Sequence, residues 1–226
     1  EIHERLVGSE MCIRDRDAWV ERMKEEVKTY PVTMFRSQLR HVLPGDHCEA
    51  ADKLPKMMPA AEFRKTEGGQ CMKAYNGLVE LTVGPLAGRA EVEQVKREAW
   101  KLPQTRCAFM GASGHSVKIL VAFTRPDNTL PLTRAEAEAF HAHAYIMAVK
   151  CYQPQLSFDI RPKEPFLEQY SRLSYDPDVL YRPDSVQFYL SQPMGMPDEM
   201  ALHTEPAVSG QRPLELSLIH VSEPTR

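Results

Sequence analysis

Ser113-Gly114-His115-Ser116-Val117-Lys118 carries the residue types best suited to chemistry in this chain. A Ser-Gly loop exposes backbone N–H groups and lets a phosphate approach closely. Ser113, Gly114 and Ser116 would line such a loop, and Lys118, on the strand that follows, would offer a compact positive charge. The plainer alternative is a hairpin turn with a solvated lysine. Glu80, in Gly77-Leu78-Val79-Glu80-Leu81-Thr82-Val83, and Asp159, in Phe158-Asp159-Ile160, are carboxylates on strand-like segments. A glutamate on the less apolar face of a strand is otherwise expected to face solvent. Asp176 precedes Pro177 and has the character of a turn former.

Histidine and cysteine offer less. His141 and His143 are two apart on a helical stretch and face different sides, whereas zinc ligands on a helix want four-residue spacing. His141 is expected to be packed or capping. Cys48, Cys71, Cys107 and Cys151 form no C-x-x-C pair, which fits buried free thiols in a reducing cytoplasm.

The elements that must position these groups follow from periodicity. Trp19, Met23 and Val27 predict a helix over 17–28, ended by Pro31, and a second helix is expected over 33–43, before the turn Pro44-Gly45-Asp46. Residues 51–60 read as irregular. Ala61–Thr66 reads as a short strand. Gly77–Val83 is the clearest strand, with Val79, Leu81 and Val83 on the apolar face. Helices are predicted over 90–102 and from Thr133 to about Cys151, with Glu136 completing a capping box. Strands are predicted over 106–110 and 117–123, with short candidates at 156–160, 171–175 and 186–189. Helices alternating with strands give an α+β (α/β-like) class with a mixed sheet and flanking helices.

The net charge is −3, so no global electrostatic case for nucleic acid exists, although a local groove is compatible with it. No apolar run is long enough to span a bilayer, and a cytoplasmic, membrane-free protein is expected.

In order along the chain, Tyr75-Asn76-Gly77-Leu78-Val79, Pro103-Gln104-Thr105, Ser113-Gly114-x-Ser116-Val117-Lys118-Ile119, Phe140-His141-Ala142-His143-Ala144-Tyr145, Lys163-Glu164-Pro165 and Arg172-Leu173-Ser174-Tyr175-Asp176-Pro177 form a combination. It resembles the N-terminal domain family named after virulence-associated protein E, from Bacteroides-type mobile elements. That family looks related to the archaeo-eukaryotic primase, or primase–polymerase, superfamily. The resemblance implies a primase-polymerase-like fold, two acidic strand positions and a later carboxylate for divalent metal, and a small-residue loop with a basic residue for nucleotide phosphates. Two-metal chemistry needs that much negative charge to hold Mg²⁺ or Mn²⁺ against the triphosphate. On this pattern Ser113, Gly114, Ser116 and Lys118 supply the phosphate loop, Asp159 the later carboxylate, and Arg172 and Asp176 a further family motif. The first element departs from it: its two acidic positions hold Thr82 and Gly84, and only Glu80, one alternation earlier, is charged.

The expectation is therefore a catalytically degenerate primase-like domain of a mobile-element replication protein, binding nucleotide or DNA. The alternatives are a non-catalytic module docking a downstream helicase-like domain, which this fragment would lack, and an active primase–polymerase using Glu80 and Asp159.

The ends read differently. Back-translated, Leu6–Arg16 and Leu216–Arg226 are two arms of one inverted DNA repeat, differing at Val221, and the repeat resembles a sequencing-library transposon adapter. The expected organisation is adapter-derived sequence at 1–16, a helical segment at 17–60, the primase-like α/β domain at 61–192, a tail at 193–215, and adapter-derived sequence again at 216–226.

Overall fold

A computed structural model describes residues 16–41, 48–67 and 69–190. The turn expected at Pro44-Gly45-Asp46, the first arm up to residue 15, the tail from 193 and the last arm lie outside the described residues.

The element order is α1 (Arg16–Lys24), α2 (Tyr30–Leu39), α3 (Glu49–Asp52), β1 (Lys56–Met57), β2 (Ala61–Thr66), β3 (Gly69–Tyr75), β4 (Leu78–Val83), α4 (Arg89–Trp100), β5 (Thr105–Met110), β6 (Val117–Thr124), α5 (Arg134–Tyr152), β7 (Ser171–Arg172), β8 (Leu180–Tyr181) and β9 (Phe188–Tyr189). The α+β class with a mixed sheet holds. Pro31 does not end the first helix; it lies in the first turn of α2, where its missing N–H is not needed. Thr133 caps α5 as expected, its side chain accepting from the Glu136 N–H. Of the short strand candidates, 156–160 is reduced to one bridge, Ile160 with Val83. Strand β3 went unpredicted, because Gln70, Cys71, Met72 and Lys73 lack alternation; it is held by its hairpin with β2.

The central sheet runs β4-β6-β5-β8, with β9 added in parallel to the end of β6. Both β4 and β5 pair antiparallel to β6, which lies between them. The β4-α4-β5 run is thus a split β-α-β unit, its two parallel strands separated by one inserted strand. Opposed residues on an antiparallel pair share a face. One face carries Val79, Leu81, Val83, Ile119 and Val121, packed on Val92, Val95 and Ala99 of α4 and Ala137, Phe140, Ala144 and Ala148 of α5. The other carries Cys107, Phe109 and Leu120, packed on Trp19, Val20 and Met23 of α1 and Val32 and Phe35 of α2. With both faces covered, every residue of β4 is buried. This corrects the expectation for Glu80, which does not face solvent and is 6% exposed.

Gly77, just before β4, has φ +66°, and a Cβ there would lie 2.3 Å from the Phe123 carbonyl oxygen. Only glycine lets the chain enter the sheet this close to β6. No helix among the described residues is long and apolar enough to cross a membrane.

The C-terminal segment is anchored through Asp176. Its carboxylate accepts from Lys96 Nζ at 3.0 and 3.1 Å, from the Met110 N–H at 2.8 Å and from the Asp178 N–H at 3.1 Å. Lys96 and Asp176 are both fully buried. Removing one member of such a pair leaves an uncompensated charge in the core. Lys96→Met should therefore lower unfolding stability in urea by about 3–5 kcal/mol. The Lys96→Met, Asp176→Asn double variant should lose less than the sum of the two single losses.

Candidate functional site

The polar residues of the α1/α2-facing side of the sheet lie at its β4–β6 end. The register sets Thr82 opposite Lys118 and Glu80 opposite Leu120, so Glu80, Thr82 and Lys118 share a face. Beyond the cover of α1 and α2 they open into a cavity of about 430 Å³, completed by Lys163, Phe166, Glu168, Gln169 and Tyr170. That volume lies within the range of about 300–1,000 Å³ typical of small-ligand sites.

Glu80 is held from three sides. Lys118 Nζ donates to Glu80 Oε1 at 2.8 Å and Lys163 Nζ to the same oxygen at 3.5 Å, while Ser171 Oγ donates to Oε2. Lys118 also donates to Thr82 Oγ1 at 2.9 Å. Burial alone would raise the Glu80 carboxyl; the Lys118 and Lys163 charges and the Lys118 and Ser171 hydrogen bonds outweigh it and hold the pKa at about 2. Burial, with the Lys118 charge, pulls the Lys163 ammonium below its ordinary value against the opposing pull of Glu80. Behind Lys163, buried His141 meets the Tyr75 hydroxyl through Nδ1 at 3.2 Å. Burial, then the Lys163 charge, lowers His141 to about 4.

The rim is shaped by aromatic and charged side chains. Tyr170 lies beneath Lys56 Nζ, 4.5 Å from the ring centroid, and beside the Arg172 guanidinium at 5.6 Å. Arg172 fastens α3 by donating to the Ala51 carbonyl and to Asp52. Glu168 is paired with Arg134.

The other expected site residues lie elsewhere. Asp159 is exposed, its carboxylate 3.4 Å from Gln153 Nε2, and it does not line the Glu80 cavity. Glu80 and Asp159 are thus not brought together as a metal pair. The donors around Glu80 do not fit a divalent cation either, since two ammonium groups already face its one carboxylate. Ser113, Gly114 and Ser116 form the β5–β6 turn, closed by Gly111 N–H to the Ser116 carbonyl and Gly114 N–H to the Gly111 carbonyl. The His115 N–H meets Ser113 Oγ at 3.3 Å. Arg36 of α2 donates to the Gly111 and Ala112 carbonyls, at 3.3 and 2.9 Å, and clamps the turn. Two of the N–H groups that a phosphate would use are therefore occupied within the loop, and Lys118 is turned toward β4. Asp176, with Glu93 and Asp178, forms a carboxylate cluster within 4.8 Å, but Lys96 and Arg89 donate into it.

Lys163, Phe166, Ser171 and Lys96 were missed by the sequence reading. Lys96 had a signal, since it stands four residues after Val92 and three before Ala99, inside the buried stripe of α4. Lys163 had only its place in the Lys163-Glu164-Pro165 motif.

A family model described as BT4734-like, N-terminal domain, matches residues 49–181. The match covers more than half of the chain and includes Glu80, Lys118, Lys163 and Asp176. No curated protein and no solved structure matches the chain.

His141 and Glu80 make the fold acid-sensitive in separate windows. His141 is lowered to about 4, so the unfolded chain takes up its proton first, and stability falls as the pH drops from about 6.5 toward 4. Glu80 is lowered to about 2, so its contribution is full above about 4.5 and is lost as the pH falls toward 2. Urea midpoints measured from pH 7 to pH 3 should decline in both windows. His141→Gln should flatten the upper decline and leave the lower one.

Proposed function

We propose, for a chain that belongs to the BT4734-like, N-terminal domain family, a primase-like domain that binds nucleotide or DNA and has lost two-metal catalysis. The likeness to the virulence-associated protein E type and to primase–polymerases is part of that reading, as are a place in mobile-element replication and a helicase-like partner domain. The single observation that carries it is the state of Glu80. Glu80 is paired with Lys118 and Lys163, and Asp159 does not share its cavity. A carboxylate matched by two cations does not gather Mg²⁺ or Mn²⁺. Two ammonium groups at the wall of an open cavity are suited to a phosphate. The split β-α-β sheet agrees with this reading, whereas the Ser113-Gly114 turn, with two of its N–H groups occupied, takes no part in it.

The test is binding of a fluorescent single-stranded oligodeoxynucleotide at low salt, followed by anisotropy. Binding should weaken as salt rises, because phosphate contacts release counterions. Lys118→Ala should weaken it by at least about fivefold while circular dichroism stays unchanged. Primer synthesis with Mn²⁺ should be absent. An absence of affinity for oligonucleotide and nucleotide alike would remove the reading, and templated synthesis lost in Glu80→Ala would replace it with an active enzyme.

A further inference from the structure

The charge balance of the cavity bears on which ligand it accepts. At the inner wall Lys118 and Lys163 each bring one positive charge and Glu80 brings one negative charge, while at the rim Glu168 shares Arg134 with Glu138. The inner wall therefore carries one net positive charge. Three hydrogen bonds already reach Glu80, two on Oε1 and one on Oε2, which leaves little of its acceptor capacity for a metal. A metal-bound triphosphate still carries more negative charge than the one net positive charge of the wall balances, and Glu80 has little capacity left to hold its metal. A phosphodiester, with its single negative charge, matches the wall without a metal.

The rim adds a second requirement. Tyr170 has Lys56 and Arg172 over its ring. Phe166 lines the same cavity, is 58% exposed, and among the described residues no aromatic or cationic side chain stacks on it. The backbone under it is fixed, since the Phe166 N–H donates to the Glu164 carbonyl and the Gln169 N–H donates to the Phe166 carbonyl. An apolar ring left open at the mouth of a cationic cavity calls for a ligand with a flat ring and an anionic group. Stacking of this kind tolerates any base.

We propose that the cavity takes one unit of single-stranded nucleic acid without divalent metal, its phosphodiester on the cavity side of the Lys118 and Lys163 ammonium groups and its base on Phe166. This rests on the nucleotide- or DNA-binding reading above and adds to it the ligand's charge state, its independence of metal, and two residues, Lys163 and Phe166, as its contacts.

The experiment uses the full chain and a ten-residue oligodeoxythymidine, with anisotropy read at low salt in EDTA, in Mg²⁺ and in Mn²⁺. The affinity should change by less than about twofold among the three. Phe166→Ala should weaken binding by about tenfold and Phe166→Tyr should restore it, as a ring requirement demands. Inorganic phosphate should compete equally well against wild type and Phe166→Ala, because it needs only the lysines. Lys163→Met should weaken oligonucleotide binding and reduce phosphate competition. Binding that requires Mg²⁺ or Mn²⁺, or Phe166→Ala binding like wild type, would overturn the inference while leaving nucleic-acid binding in place. No binding by wild type under any of the three conditions would overturn both.

Discussion

The buried carboxylate of Asp176 is the constraint on which the rest of the architecture depends. Its partners come from α4 through Lys96, from β5 through the Met110 N–H and from its own turn through the Asp178 N–H. Its backbone N–H reaches the Met23 carbonyl in α1. One side chain therefore joins the helix of the split β-α-β unit, the sheet and the C-terminal segment, while its backbone holds the N-terminal layer. A carboxylate in the core is unfavourable unless its partners are complete. That is a reason for the segment around Ser174–Asp176 to adopt one path. Arg36 adds to the same node, reaching Ser174 and Tyr175 on one side and the β5–β6 turn on the other.

The cavity follows from that arrangement. α1 and α2 cover the Phe109 and Leu120 part of the sheet face and leave the Glu80, Thr82 and Lys118 end open to the cavity. Residues 163–170 form the opposite wall, and β7, paired with β1, brings Ser171 onto Glu80. The site is thus assembled from four places in the chain. Its electrostatics are decided by long side chains from β6 and from the segment after α5.

The main elements were legible in the sequence because they obey simple periodicities. The alternation of β4, the apolar run of β6 and the Thr133 cap of α5 each act within a few residues. Glu80 and Lys118 were legible as polar residues on strands, but not as partners of each other, because a register is a non-local property. Lys163 and Phe166 lie in irregular backbone, where no period marks a side chain as facing a cavity. Asp159 was misleading for the same reason. A carboxylate in a short β-like segment looks like a strand ligand until pairing is known, and here only Ile160 bridges to β4.

The departure from an acidic pattern at residues 82 and 84 is a matter of backbone as well as side chains. Gly84 has φ +130°, and a Cβ there would lie 2.9 Å from the His115 carbonyl oxygen. An aspartate at that position would be strained and crowded by main chain, which does not yield as a side chain would. Position 82 is different. Thr82 already faces Lys118 across the register and accepts its hydrogen bond. An acidic residue there would cancel the cavity's remaining positive charge without supplying a second free ligand, since Lys118 would turn to it. Building a divalent-metal site into this chain therefore requires moving the β4–β6 backbone and removing a lysine, whereas the proposed anion site requires neither.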